Sequence, residues 1–246
     1  MNTIAIVGYG RMGKQIELVL AEKNIKPVSI IDGYAKDATY KEINADSLKG
    51  VSVVIDFSSP ETVMENIKKY IECGVSVVMG TTGWYDKIDE VKKLVGNSIG
   101  FIWSGNYSLG VNLYFKIIEY ASKLIGKFEA YDPMVHEFHH KEKKDSPSGT
   151  ALMIADLVKS GYKESRDSIV TERLNRKKEA NEIHVSSTRG GYIPGTHIVA
   201  YDSVLDTIEL KHTARTREGF ALGAVTAALW LDGKKGFYKF DETLDT

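Results

Sequence analysis

Six residues near the amino terminus narrow the folds open to this chain more than any others do. Residues 3–7 form a short apolar run, Gly8-Tyr9-Gly10-Arg11-Met12-Gly13 follows at once, and Ile16, Val19 and Leu20 then recur at helical spacing. This is G-x-G-x-x-G between a strand and a helix. The first glycine permits a tight turn, the second lets a pyrophosphate approach the backbone, and the third lets helix and strand pack closely. A second strand, Val28–Ile31, ends at Asp32, 19 residues after Gly13, where an acid can accept from a ribose 2′-hydroxyl. Together these predict a dinucleotide-binding, Rossmann-type opening.

The α/β rhythm then continues. Strands are expected at 51–57, 75–79 and 99–103, and helices from Ser58-Ser59-Pro60-Glu61 (read as a capping box) to Cys73-Gly74 and near 86–95. Alternation of this kind implies a parallel, doubly wound sheet with helices on both faces and ligands at the carboxyl ends of its strands. Gly80-Thr81-Thr82-Gly83 and Ser104-Gly105-Asn106-Tyr107-Ser108 open from two of those ends. A long amphipathic helix runs from Val111 to about Leu124, and the pattern then changes. Strand-like runs at about 127–136, 183–189, 196–201 and 206–214 suggest a second, smaller α+β domain, with 162–182 as a polar surface excursion. A last helix, Phe220–Leu231, has a face rich in alanine and glycine that calls for close packing. Cys73 is the single cysteine, which excludes an internal disulfide; its apolar helix end points to packing.

The segment from His136 to Ala151, H-E-F-H-H-K-E-K-K-D-S-P-S-G-T-A, carries most of the chemistry. Its Ser-Pro-Ser-Gly-Thr-Ala close reads as a helix start, with serine as N-cap, proline in the first turn and an apolar stripe behind. Free N–H groups at such a start bind anions. Two adjacent imidazoles (His139, His140) and three lysines beside it suit a small anionic substrate. Read alone, the run is also consistent with a solvated charged loop. His136 to His140 also spells H-E-x-x-H, a zinc-protease pattern that needs a helix continuing beyond it. Lys141 to Gly149 is polar and holds Pro147, so no metal is expected.

H-H-x-x-K-x-D-x-P-S-G-T-A, matched at His139, His140, Lys143, Asp145 and Pro147 to Ala151, resembles the active-site motif of the dihydrodipicolinate reductase family. The Gly80–Gly83 and Ser104–Val111 loops resemble that family's corresponding loops, so the likeness runs along nearly the whole chain. The resemblance implies NAD(P)H-dependent reduction of a cyclic dicarboxylate in the diaminopimelate and lysine pathway. It implies His139 as general acid, Lys143 as stabiliser of developing negative charge, Gly149 and Thr150 as holders of a substrate carboxylate, and His140 as a binding or orienting group. It also implies a nucleotide domain of residues 1–108 plus 216–246, a substrate-binding and tetramerisation domain of 109–215, and a homotetramer. The expected cofactor-binding residues are Gly8, Gly10, Arg11, Met12, Gly13, Asp32, Gly80, Thr81, Thr82, Ser104, Asn106 and Tyr107. Phe138 and Thr196 depart from the family pattern, without removing a catalytic group.

Asp32 repels a 2′-phosphate, and Gly33 and Tyr34 follow it instead of arginine, while Lys36 offsets part of the repulsion. NADH is therefore expected to serve at least as well as NADPH. Another two-domain Rossmann dehydrogenase would share the first hundred residues without needing H-H-x-x-K with S-G-T-A. A dinucleotide-sensing protein would have no use for clustered proton donors. A formal net charge of −1 gives no ground for nucleic-acid binding, and no apolar run approaches the roughly 20 residues of a membrane helix. The start, lacking a basic segment and cleavage site, carries the expectation of a cytoplasmic protein.

Overall fold

The computed structural model describes residues 3–216 and 218–244. The chain divides into two compact units, Met1–Leu109 with Arg217–Thr246, and Gly110–Thr216.

The first unit is built on six parallel strands: β1 (Ile4–Val7), β2 (Ser29–Ile31), β3 (Val53–Asp56), β4 (Ser76–Met79), β5 (Gly100–Trp103) and β11 (Gly236–Lys239). Their order across the sheet is β11-β5-β4-β3-β1-β2, every pairing parallel. β1 to β5 are short, apolar and almost wholly buried, as strands covered on both faces of a parallel sheet must be, whereas β11 at the edge is partly exposed. Alternation divides them: Ile4 and Ile6 face α1 (Arg11–Glu22) and α6 (Glu218–Trp230), whereas Ala5 and Val7 face α2 (Val63–Glu72) and α3 (Ile88–Val95). The glycine-rich face of α6 does pack closely, since a Cβ on Gly223 would lie 1.7 Å from the Tyr107 carbonyl oxygen. β1 lies between β2 and β3, so strand order reverses there and leaves a crevice at the carboxyl ends of β1 and β3.

Three local expectations are corrected. No capping box forms at Ser58–Glu61. A short 3-10 turn, Pro60–Thr62, leads into α2 without a side-chain cap, because the Ser58 N–H is held by the Asp56 carboxylate of the preceding strand. Cys73, at the end of α2, is exposed rather than packed. β11 was not expected at all and adds an edge strand beside β5.

The second unit carries a mixed five-stranded sheet, order β10-β9-β6-β8-β7. Its strands are β6 (Asp132–His139), β7 (Ser168–Val170), β8 (Glu182–Arg189), β9 (Gly195–Asp202) and β10 (Thr207–Ala214). β7 lies inside the stretch expected to be a plain surface excursion. α4 (Leu109–Ile125) and α5 (Gly149–Tyr162) cover one face, where Ile118, Val135, Ile154, Val158 and Val185 form the core. On β6, Val135, Glu137 and His139 point to that covered face, while Met134, His136 and Phe138 stay partly exposed on the other. H-E-x-x-H thus begins on a strand, not a helix. His136 is fixed by Ser186 Oγ at 2.5 Å and Thr188 Oγ1 at 3.2 Å.

Candidate functional site

In the first unit the three glycines differ as their roles require. Gly8 has φ +83°, and a Cβ there would lie 2.2 Å from the Phe57 carbonyl oxygen. A Cβ on Gly13 would lie 2.2 Å from the Gly8 oxygen, whereas one on Gly10 would meet nothing within 4 Å. Gly10 is also the N-cap of α1 and offers no side-chain cap, so the first N–H groups of that helix, at Arg11, Met12 and Gly13, have no capping side chain. An open backbone beside an uncapped positive helix end fits a pyrophosphate. The crevice above it is a cleft of about 480 Å³ reaching from Gly8 and Gly10 to Asp32, Lys41 and Ser58.

Asp32 is already engaged by the protein. Oδ2 accepts from the Tyr9 N–H at 2.6 Å, and Oδ1 accepts from Tyr34 and Ala35 N–H, each at 2.8 Å. Burial alone would raise its pKa; the three N–H groups and the charge of Lys41 outweigh that and hold it below the ordinary value. The carboxylate therefore ties the glycine loop to the loop after β2, and Oδ2 keeps a lone pair for a sugar hydroxyl.

The other expected cofactor residues differ in how they are placed. Thr82 is exposed beyond β4. Thr81 is buried, its hydroxyl donating to Asp56 at 3.2 Å, and a Cβ on Gly80 would strike the Phe57 ring at 2.2 Å. Ser104 Oγ accepts from the Asn106 N–H at 3.0 Å, and Asn106 Oδ1 accepts from Ser108 N at 2.9 Å, which fixes that loop. The Tyr107 phenol, expected at the cofactor, instead points into the core and donates to the Ile102 and Met79 carbonyls at 3.0 and 3.1 Å, so only its backbone remains for a ligand.

In the second unit the organising group is Glu137, fully buried beneath the start of α5. It accepts from the Ser148 N–H at 2.9 Å, the Ser148 hydroxyl, Ser187 Oγ at 2.9 Å and Arg189 Nη2 at 2.7 Å. Burial would push its carboxyl up, but these donors, with the two imidazoles facing it, hold it far below the usual range. Ser148 is in turn the N-cap of α5, accepting from the Ala151 N–H at 3.1 Å. This corrects the expected helix start: Pro147 precedes the cap rather than filling the first turn, because Glu137 fixes the chain at Ser148. Gly149, the first residue of α5, is exposed, and a Cβ there would meet nothing within 4 Å. Thr150 follows, half-buried.

His139 is nearly enclosed. Its Nδ1 bonds the Pro194 carbonyl at 3.0 Å and therefore carries a hydrogen, and its Nε2 faces Glu137 Oε2 at 3.4 Å. His197, on β9, brings Nε2 to 3.5 Å from the same oxygen. The ring of His140 stands edge-on to that of His139, centroids 6.5 Å apart, and makes no hydrogen bond among the described residues. Lys143 donates to both oxygens of Asp145, at 2.7 and 2.9 Å, and so holds that carboxyl below the usual range. Glu137, His139 and His197 bring ligand-type atoms within 4.8 Å of one another. A carboxylate already holding a guanidinium and two serines is a hydrogen-bond hub, and a cation there would face Arg189.

Reading one sequence did not find Ser187, Arg189, Gly195 and His197 as site residues. Arg189 also donates to the Asp145 carbonyl at 2.6 Å, and a Cβ on Gly195 would come within 2.8 Å of His139 Cε1. The G-G-Y-I-P-G-T-H run was the available signal, since glycines beside a histidine mark close approach.

Residues 2–107 match the family model described as "Dihydrodipicolinate reductase, N-terminus", and residues 110–244 the one described as "Dihydrodipicolinate reductase, C-terminus". The chain is 36% identical to the 4-hydroxy-tetrahydrodipicolinate reductase of Christiangramia forsetii, over 98% of this chain and 97% of that one. It is also 36% identical to the enzyme of the same name from Archaeoglobus fulgidus, over 98% and 99%. Among solved structures, a dipicolinate-bound dihydrodipicolinate reductase from Paenisporosarcina sp. TG-14 has the same fold, with a TM-score of 0.80 at 21% identity, over 98% of this chain and 99% of that one.

Proposed function

The chain belongs to the dihydrodipicolinate reductase family, and on that premise we propose how its own residues divide the reaction. The reaction is the NAD(P)H-dependent reduction of 4-hydroxy-tetrahydrodipicolinate (dihydrodipicolinate) to tetrahydrodipicolinate, a step of diaminopimelate and lysine biosynthesis. A bound nicotinamide supplies the hydride. Gly8, Gly10, Arg11, Met12 and Gly13 would hold the pyrophosphate through backbone N–H groups, and Asp32 the adenosine ribose. Gly80, Thr81, Thr82, Ser104, Asn106 and the Tyr107 backbone form the loops at the remaining strand ends.

The reading of the second unit rests on one observation. His139, His140, Lys143 and the open helix start at Gly149 and Thr150 follow one another on a single segment anchored at both ends by Glu137. His139 donates the proton once hydride has been added. Lys143 exchanges Asp145 for the substrate and offsets its developing negative charge. Gly149 and Thr150 take a substrate carboxylate, and His140 orients the ring. We place the enzyme in the cytoplasm as a homotetramer assembled through the second unit; none of the described helices is long and apolar enough to cross a membrane.

A second reading is favoured by one feature of the geometry. His139 Nδ1 bonds the Pro194 carbonyl and Nε2 faces Glu137, whereas the His140 ring makes no hydrogen bond among the described residues. In that reading His140 gives the proton and His139 orients it. Alanine variants at each position, assayed for NAD(P)H consumption on substrate supplied by dihydrodipicolinate synthase, distinguish the two. With His139 as donor, His139→Ala lowers kcat by about 100- to 10,000-fold and leaves cofactor affinity unchanged. His140→Ala then acts chiefly on KM. The reverse pattern moves the proton to His140. Folded variants that both keep more than about a third of wild-type kcat remove histidine from the chemistry. Sedimentation of the same preparations reads the assembly, and a fully active monomer would overturn the tetramer.

A further inference from the structure

After β2 the chain doubles back on itself. Ile31 pairs with Tyr40 in an isolated bridge, the Asp32 N–H bonds the Tyr40 carbonyl at 3.0 Å, and a Cβ on Gly33 would stand 3.7 Å from the Lys41 oxygen. The return brings Lys41, nine residues further along the sequence, next to Asp32 in the lining of the same cleft. Lys36, the cation expected to act here, is exposed and does not line the cleft.

The charges around Lys41 are nearly all accounted for. Lys69, the other lysine of the lining, lies 2.7 Å from Glu65, and Lys14 lies 3.2 Å from Asp37. Glu42 accepts from Asn44 Nδ2 at 3.4 Å. Asp32 is satisfied by three backbone N–H groups. Lys41 donates to the Ala35 carbonyl, on the loop that Asp32 holds, and makes no ion pair among the described residues. An ammonium has three donors, so two remain for a ligand. The ribose end of the cleft therefore joins a carboxylate whose hydrogen bonds come from fixed amides to a cation beside it that makes no ion pair among the described residues.

We propose that Lys41 is the residue that sets cofactor choice in this chain, by receiving the 2′-phosphate of NADPH. The proposal rests on the dinucleotide reading of the first unit and deepens it. The usual position for such a cation, directly after the acid, holds Gly33 and Tyr34, and the returning segment supplies the charge instead. NADH presents a hydroxyl there, which the remaining lone pair of Asp32 accepts without help from Lys41. The two cofactors thus use neighbouring groups, and both serve. An exposed ammonium recognises phosphate as a point charge, so its preference weakens as salt rises.

The test is Lys41→Met, which keeps the apolar stem and deletes the charge, with Lys36→Met as the comparison. Lys41→Met is expected to lower kcat/KM for NADPH by about tenfold or more and to change that for NADH by less than about twofold, with kcat little altered. Lys36→Met should leave both cofactors within about twofold of wild type. Calorimetric titration with adenosine 2′,5′-bisphosphate and with AMP gives a reading independent of turnover. Wild type should bind the bisphosphate more tightly, by a margin that shrinks between about 50 and about 300 mM salt and disappears in Lys41→Met. Equal losses for NADH and NADPH, or unchanged bisphosphate binding in Lys41→Met, would overturn the proposal. Failure of wild type to bind either probe or either cofactor would overturn the dinucleotide reading beneath it.

Discussion

Each unit is organised around one buried carboxylate, and the two carboxylates are held in opposite ways. Asp56, the last residue of β3, is fully buried and accepts from Ser58 N at 2.9 Å, Asn66 Nδ2 at 3.2 Å, Tyr70 Oη at 2.8 Å and Thr81 Oγ1 at 3.2 Å. None of those donors carries charge. Burial and the neighbouring anion push the Tyr70 phenol well above its ordinary pKa, so it stays a donor. Glu137 is equally buried but is held by a guanidinium and faces two imidazoles. An anion satisfied by neutral dipoles fixes loops and leaves binding to backbone N–H groups. An anion satisfied by ionisable groups fixes the groups that move protons. The first unit is a cradle of peptide; the second is a set of coupled charges.

The largest effect should follow Glu137→Gln. The amide cannot neutralise Arg189, and leaving one member of a buried pair alone costs about 3–5 kcal/mol. In whatever fraction folds, kcat should fall by about 100-fold or more, since both His139 and the start of α5 lose their anchor. Ser187→Ala removes one neutral donor from the same carboxylate, should cost only about 1 kcal/mol, and should leave kcat within about threefold. If Glu137→Gln unfolds the chain, loss of kcat in a stable Ser187→Ala variant would still break the comparison.

Asp56→Asn should act less, and on other quantities. One oxygen still accepts, while the new amide opposes Asn66 and Tyr70, at a cost of about 1–3 kcal/mol. Melting temperature should drop and cofactor KM rise, with kcat within about threefold. A kcat loss matching that of Glu137→Gln would show that the two carboxylates do the same work.

The smallest effect is the dependence on acid. Folding lowers the Glu137 carboxyl, so its contribution is complete above the unfolded value of about 4.3 and is lost as pH falls below that value. Asp32 is lowered as well and adds in the same direction. Denaturant midpoints should therefore stay flat near neutrality and decline below about pH 4, with a shallower decline in Glu137→Gln. Parallel acid slopes for wild type and variant would mean that other carboxylates carry the titration.

This contrast also explains how much the sequence disclosed. The glycine loop, the alternating strands and Asp32 were legible because each depends on neighbours a few residues away. β7 and β11 escaped because neither shows the buried apolar run that marked β1 to β5: Ser168–Val170 sits in a polar stretch, and Gly236–Lys239 is a partly exposed edge strand. The H-H-x-x-K segment was legible as a motif, but the group that arranges it was not. Glu137 stood in the sequence only as the second letter of a zinc pattern. Its partners Ser187, Arg189 and His197 lie 50 or more residues downstream and meet it through the pairing of β6 with β8 and β9. Lys41 was passed over in favour of Lys36 for the same reason: proximity along the chain stood in for a fold-back that brings residue 41 home.

The route of the chain has a consequence for how it is made. Synthesis delivers β1 to β5 first, then the whole second unit as one uninterrupted stretch, and only then α6 and β11. α6 supplies Ala221, Ala224, Val225 and Ala228 to the same core as Ile4, Ile16 and Val53, so the face of the first sheet that α1 begins to cover is completed only when the last helix has left the ribosome. The segment translated in the middle can therefore finish folding before the one begun at the start, against the common order in which amino-terminal domains fold first. During that interval the nascent chain exposes the part of that face that α6 will cover and the free edge of β5. A stop codon placed before α6 should yield an insoluble fragment rather than a smaller reductase.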